Sequence, residues 1–193
     1  TQTITAGTYL GINTCTLCHS GGLIAPNKVV PWSGTLHATK FTRGINGQAG
    51  TNYSANDIPF HTVGYDTDTN AVNGGFDDVA RQLGWTFPTT LSATNWAAVP
   101  ATLRNLANIQ CESCHGPGSE HAYSLGNTNR IATTFNTGMC GQCHDSKKDD
   151  AVTIKVAEWK NSGHAIAPRR TEATCVRCHN AKGFADFIDG KPE

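Results

Sequence analysis

The chain has 193 residues, and its fifteen Lys or Arg balance its fifteen Asp or Glu, so it is formally neutral at pH 7. That balance excludes a basic surface for nucleic acid and an acidic tail, and no run approaches the ~18 apolar residues of a membrane span. Hydrophobic residues make up 38% and aromatics 8%. So lean a chain needs a second source of cohesion, such as disulfides, metals or a large cofactor.

The N-terminal TQTITAGTYLG has neither a charged start nor an apolar core, so any signal peptide is expected to have been removed already. The first pattern is Cys15-Thr-Leu-Cys18-His19. A long loop-rich insertion, 20–110, follows. Early in it stands Trp32-Ser-Gly-Thr-Leu-His37-Ala38. Gly44–Ser54 and Asp66–Gly75, rich in Gly, Asn, Thr and Asp, read as loops or short hairpins, with His61 between them. Phe76–Leu83 is a helix candidate, and a stronger one runs from Ala101 to Gln110, with Leu103, Leu106 and Ile109 on one face. Phe60, Tyr65, Trp85, Phe87 and Trp96 read as local packing within the insertion.

The second pattern, Cys111-Glu-Ser-Cys114-His115, runs directly into Gly116-Pro-Gly-Ser-Glu-His121. Gly-Pro-Gly breaks the helical turn and swings the chain away, which suits His121 to a neighbouring site better than to the one held by His115. The third pattern is Cys140-Gly-Gln-Cys143-His144, preceded by Met139. A helix is expected over Asp149–Lys160, leading to Trp159-Lys-Asn-Ser-Gly-His164-Ala165, which repeats the spacing of Trp32 and His37. The fourth is Cys175-Val-Arg-Cys178-His179.

All eight cysteines thus fall in CxxC pairs, and every pair is followed at once by His. This is the attachment sequence of c-type haem. Thiols three positions apart on a helical turn face the same way and can form thioethers to both vinyl groups of one porphyrin. The adjoining imidazole then lies under the iron. Redox dithiols, structural zinc and disulfides are the alternatives, but none requires His after each second Cys. The cofactor expected is four covalently attached haem c groups, with His19, His115, His144 and His179 as proximal iron ligands.

Four histidines remain for four open axial positions: His37, His61, His121 and His164. His61 is assigned by elimination. A Trp about a turn from His37 and from His164 can pack on a porphyrin. Met139, tied to the adjoining attachment site, reads as packing. The expected inventory is four bis-histidine haems of low potential. With 92, 25 and 31 residues between successive pairs, residues 111–179 form a dense three-haem module. The chain reads as a single tetrahaem domain, 1–193. Its fold class is mostly irregular with short α-helices, organised around four closely packed haems whose contacts replace a conventional core.

Such iron has no open position, so the chemistry expected is electron transfer and not catalysis, by tunnelling or hopping between neighbouring haems. A reductase would need one five-coordinate iron. Arg169, Arg170 and Arg177 are candidate propionate partners. Covalent attachment takes place outside the cytoplasm, so a cell-surface, extracellular or periplasmic setting is expected.

The run Cys111-Glu-Ser-Cys114-His115-Gly-Pro-Gly-Ser-Glu-His121 resembles a signature of the multihaem superfamily that includes the ammonia-oxidiser tetrahaem cytochrome and hydroxylamine oxidoreductase. Four haems matched by histidine in about two hundred residues resemble more closely the filament-forming tetrahaem outer-surface cytochromes of the OmcE type, the extracellular cytochrome nanowires. That resemblance implies His121 on the first haem, His164 on the second and His37 on the third, leaving His61 for the fourth. It also implies identical subunits as partners in a filament, with one distal ligand, His61 first among candidates, crossing a subunit boundary. Other redox proteins or extracellular acceptors would complete the path; a monomeric periplasmic shuttle is the alternative.

Overall fold

Glycine and loop-forming residues interrupt every apolar run, so helices start often and stop early. The computed structural model describes residues 7–50, 52–133, 136–145, 155–166, 175, 176 and 179. Among them no helix exceeds eight residues, and the only β pairing is an isolated antiparallel bridge between Thr62 and Ala107. The chain divides into two compact units, Thr1–Phe135 and Asn136–Glu193. The first two attachment sequences therefore belong to the first unit, together with the insertion.

The first unit contains α1 (Ile12–His19), α2 (Val29–Ser33), α3 (Lys40–Ile45), α4 (Ile58–His61), α5 (Phe76–Leu83), α6 (Asn95–Ala98), α7 (Ala101–Leu106), α8 (Cys111–His115) and α9 (Ser119–Tyr123). Phe41 and Ile45 lie one turn apart on α3, as do Leu103 and Leu106 on α7. With Ile58, Val63, Phe76, Val99 and Ala107 they form one buried cluster. Trp85, Phe87 and Trp96 pack on its edge, Trp85 standing perpendicular to Phe76 with centroids 5.5 Å apart. Tyr65 is exposed and Phe60 half-buried. The expectation that haem contacts replace a conventional core is therefore overturned in the insertion, which builds its own from residues 41 to 107.

The α5 helix covers the stretch predicted for it. Asp77 and Asp78 favour its N-terminus. Asp78 also accepts from the amides of Asn73 and Gly74, at 2.8 and 2.9 Å, closing the preceding loop. The α7 helix stops at Leu106, four residues short of the predicted Gln110. There the Val63 amide takes the Leu106 carbonyl at 2.9 Å, and Asn108 turns left-handed at φ 72°. Its Oδ1 accepts from the Thr42 amide at 3.0 Å, a conformation asparagine tolerates. Tertiary pairing has won over helix periodicity.

In the second unit α10 (Thr137–His144) is capped by Asn136, whose Oδ1 accepts from the Met139 amide at 3.1 Å. The α11 helix (Lys155–Lys160) returns alongside it, with Val156 buried and the Ala157 amide donating to Asp145 at 2.8 Å. A short α12 (Gly163–Ile166) carries His164. Of the helix predicted over 149–160, residues 149–154 lie outside the described residues, as do Cys178, Arg169, Arg170 and Arg177.

Candidate haem sites

Three attachment sequences lie on helices, α1, α8 and α10, so each pair of thiols shares one helix face, with its His at the helix end. In the fourth, Cys175, Val176 and His179 are helical.

The break after α8 does what Gly-Pro-Gly implies. Gly116 takes φ 78° and Gly118 starts α9. The chain reverses and sets the His121 ring 6.2 Å from the His19 ring, centroid to centroid, with their planes 25° apart. His121 Nδ1 donates to the Asn127 carbonyl at 3.0 Å, and His115 Nδ1 to the Ala132 carbonyl at 2.6 Å. A carbonyl only accepts, so in both rings Nδ1 carries the proton and Nε2 keeps its lone pair for a metal.

These residues fit a haem. Two imidazoles that ligate one metal from opposite sides, with bonds of about 2 Å, place their ring centres about 6 Å apart, close to the 6.2 Å spacing of His19 and His121. Large apolar side chains one or two positions from candidate ligand histidines are exposed: Leu17 at 79%, Leu36 at 70% and Tyr123 at 76% of full accessibility. A porphyrin held there would remove them from water.

The first two attachment sequences lie side by side. The Cys15 thiol hydrogen-bonds to that of Cys111; this bond, helped by burial, pushes Cys15 up, and against burial it draws Cys111 down to about 7. The Trp32–His37 element docks just upstream of α8. The Trp32 indole N–H donates to the Ile109 carbonyl at 2.9 Å, and the Ile109 amide to the His37 carbonyl at 3.1 Å. Its counterpart in the second unit behaves alike: Trp159 lines a hollow with Thr137, Cys140 and His144 of α10. Each repeated Trp therefore sits beside an attachment helix. His37 and His164 are both exposed.

His61 has a different setting. It is buried, stacked on Tyr53 with centroids 5.5 Å apart, and its Nδ1 lies 3.2 Å from the Tyr53 hydroxyl. The Tyr53 contact engages Nδ1, so Nε2 is the atom left to meet a metal, as in His115 and His121. Burial, with Lys40 nearby, lowers its pKa to about 4 from the usual 6.5. Between those values the unfolded chain binds a proton that the folded chain refuses. The associated stability is therefore complete above pH 6.5 and falls as pH drops toward 4, by on the order of 3 kcal/mol. Denaturation midpoints of the haem-free protein measured across that range should fall in the parent chain and flatten in His61→Gln.

Sequence reasoning missed Glu112. It lies between the two cysteines of α8, is only 3% exposed, and accepts hydrogen bonds from three backbone amides. A carboxylate inside an attachment loop was the available signal.

The profile of the MtrC/MtrF-like outer-membrane cytochromes, domains II/IV, matches residues 1–189. The chain is 35% identical over 83 residues to the C-type polyheme cytochrome OmcB of two Geobacter sulfurreducens strains, covering 41% of this chain and 10% of that protein. It is 28% identical over 101 residues to the multiheme cytochrome MtrA of Shewanella baltica, covering 49% of this chain and 27% of the relative. The chain thus spans about a tenth to a quarter of the curated relatives it matches. No solved structure matches it. With its attachment helices and this match over nearly its whole length, the chain belongs to the MtrC/MtrF-like family of multihaem c-type cytochromes.

Proposed function

We propose that the chain carries electrons through four covalently bound haems, each held by two histidines, in the outer envelope or outside the cell. The proximity of His19 and His121, 6.2 Å apart and supplied by two different helices, is the observation that carries this reading. When bound, haem supplies a one-electron couple at iron. The polypeptide supplies the rest. Cys15 and Cys18, Cys111 and Cys114, Cys140 and Cys143, and Cys175 and Cys178 anchor the groups. His19, His115, His144 and His179 serve as proximal ligands, and His37, His61, His121 and His164 complete the count of distal ones. The Asn127 and Ala132 carbonyls hold two of these rings in the metal-binding tautomer. A site closed by imidazole on both sides admits no substrate, which favours carriage over catalysis.

The outer-membrane family supports an envelope or extracellular location. Among the described residues no helix is long and apolar enough to cross a membrane. Assembly of identical subunits into a filament rests on the tetrahaem resemblance, with a diffusing monomer as its alternative, and negative-stain microscopy distinguishes them. The central test is the holoprotein's mass together with its spin state. Four haem additions and a wholly low-spin spectrum are expected. A smaller mass or a high-spin fraction in the parent protein refutes the reading.

A further inference from the structure

Glu112 belongs to the second attachment helix, yet the three backbone amides on its carboxylate belong to the segments that lead into His19 and His121. Its carboxylate accepts from the Leu10 amide at 3.1 Å and the Gly11 amide at 2.7 Å, and Gly11 is the residue from which α1, with Cys15, Cys18 and His19, starts. The same carboxylate accepts from the Gly118 amide at 2.7 Å, and Gly118 is the residue from which α9, with His121, starts. A second link joins the same two segments: the Thr8 amide donates to the Ser119 hydroxyl at 2.8 Å, and the Ser119 amide to the Thr8 carbonyl at 3.2 Å. Charge-assisted bonds from a buried carboxylate are short and strong, and leaving its partners unpaired is costly. Side-chain reach is short on both sides of the pair. His19 ends α1, and His121 lies three residues beyond Gly118.

We propose that Glu112 is the positioning residue that sets the distance between His19 and His121, so that one haem's attachment loop fixes the axial geometry of its neighbour. This rests on the reading that those two histidines ligate one iron. In that case movement at Glu112 reaches the first haem's distal bond without touching either ligand. The Cys15 and Cys111 thiols also meet between α1 and α8; that contact is consumed when both become thioethers, whereas the hydrogen bonds of the carboxylate persist.

Two holoprotein variants test it. Glu112→Gln keeps the shape and loses the charged acceptor. Gly118→Ala keeps the charge, but its Cβ would come within 2.9 Å of the Glu112 Oε1 and push the carboxylate aside. Both should retain the parent haem mass while one haem gains a high-spin signal, larger in Glu112→Gln, that added imidazole abolishes. Imidazole rescue separates a mispositioned ligand from a collapsed site. If Glu112→Gln does not accumulate, Gly118→Ala decides by the same readout. His121→Ala serves as the control. If it is high-spin while the Glu112 and Gly118 variants match the parent spectrum, Glu112 has no positioning role and the axial pair stands. If His121→Ala is itself wholly low-spin, the pair is wrong and the proposal falls with it.

Discussion

His121→Ala should convert one haem from six-coordinate low-spin to high-spin iron while every thioether stays in place. The reason is geometric. His121 reaches the His19 ring only because α8 ends in a left-handed glycine and the chain doubles back. Its ring centre lies 6.2 Å from that of His19. On the proposed pairing, removing the imidazole leaves the first iron held by its proximal ligand alone. Optical and electron paramagnetic resonance spectra should show one haem's worth of high-spin signal, reversed by millimolar imidazole. The midpoint of that haem should rise, since loss of a strong distal donor destabilises the oxidised state more than the reduced one. A parent-like spectrum would show that some other group occupies the position.

Phe41→Ala should have the opposite profile, a large loss of stability with little change in spin state. Phe41 is fully buried at the centre of the insertion, 5.4 Å from Phe76 and 6.3 Å from Trp96 by ring centroids. Removing a buried phenyl ring costs about 3–5 kcal/mol, because transfer energy is lost and the cavity closes only in part. A domain of this size has roughly 5–15 kcal/mol in all. Chemical denaturation followed by tryptophan fluorescence should show the shift, since Trp96 and Trp85 both pack on this cluster. None of the eight candidate ligand histidines belongs to the cluster, so the haem spectrum should stay low-spin until the unit unfolds. A stability change under 1 kcal/mol would mean that the insertion has no cooperative core of its own.

The contrast between these variants separates two kinds of cohesion in one unit. Near α1, α8 and α9 the polypeptide exposes apolar side chains and aligns donors, as a chain built to receive a cofactor does. Between residues 41 and 107 it buries aromatics against aliphatics, as an ordinary small domain does. Composition alone suggests only the first, because an average over 193 residues conceals a local concentration of Phe, Trp, Ile and Leu. The clue was present in the aromatic group of the insertion, read there as local packing.

Local order was legible wherever the deciding interactions were local. CxxCH declares its chemistry because thiols three apart on a helix must face one way, and α5 covers the Phe76–Leu83 stretch predicted for it, its acidic first turn and following left-handed glycine supporting it locally. Other features depend on partners far away in the chain. The α7 helix ends early because Thr42 and Val63 claim its last residues. His61 turns inward because Tyr53 offers a ring to stack on. Glu112 finds two of its three amides 101 and 102 residues upstream. By itself the sequence determined what kind of cofactor the chain binds and how it is tethered, since that chemistry is written within five consecutive residues. Only the tertiary structure shows the His121 ring brought beside that of His19, the neighbour the resemblance implies, and what holds them there, because that distance is set by hydrogen bonds between segments a hundred residues apart.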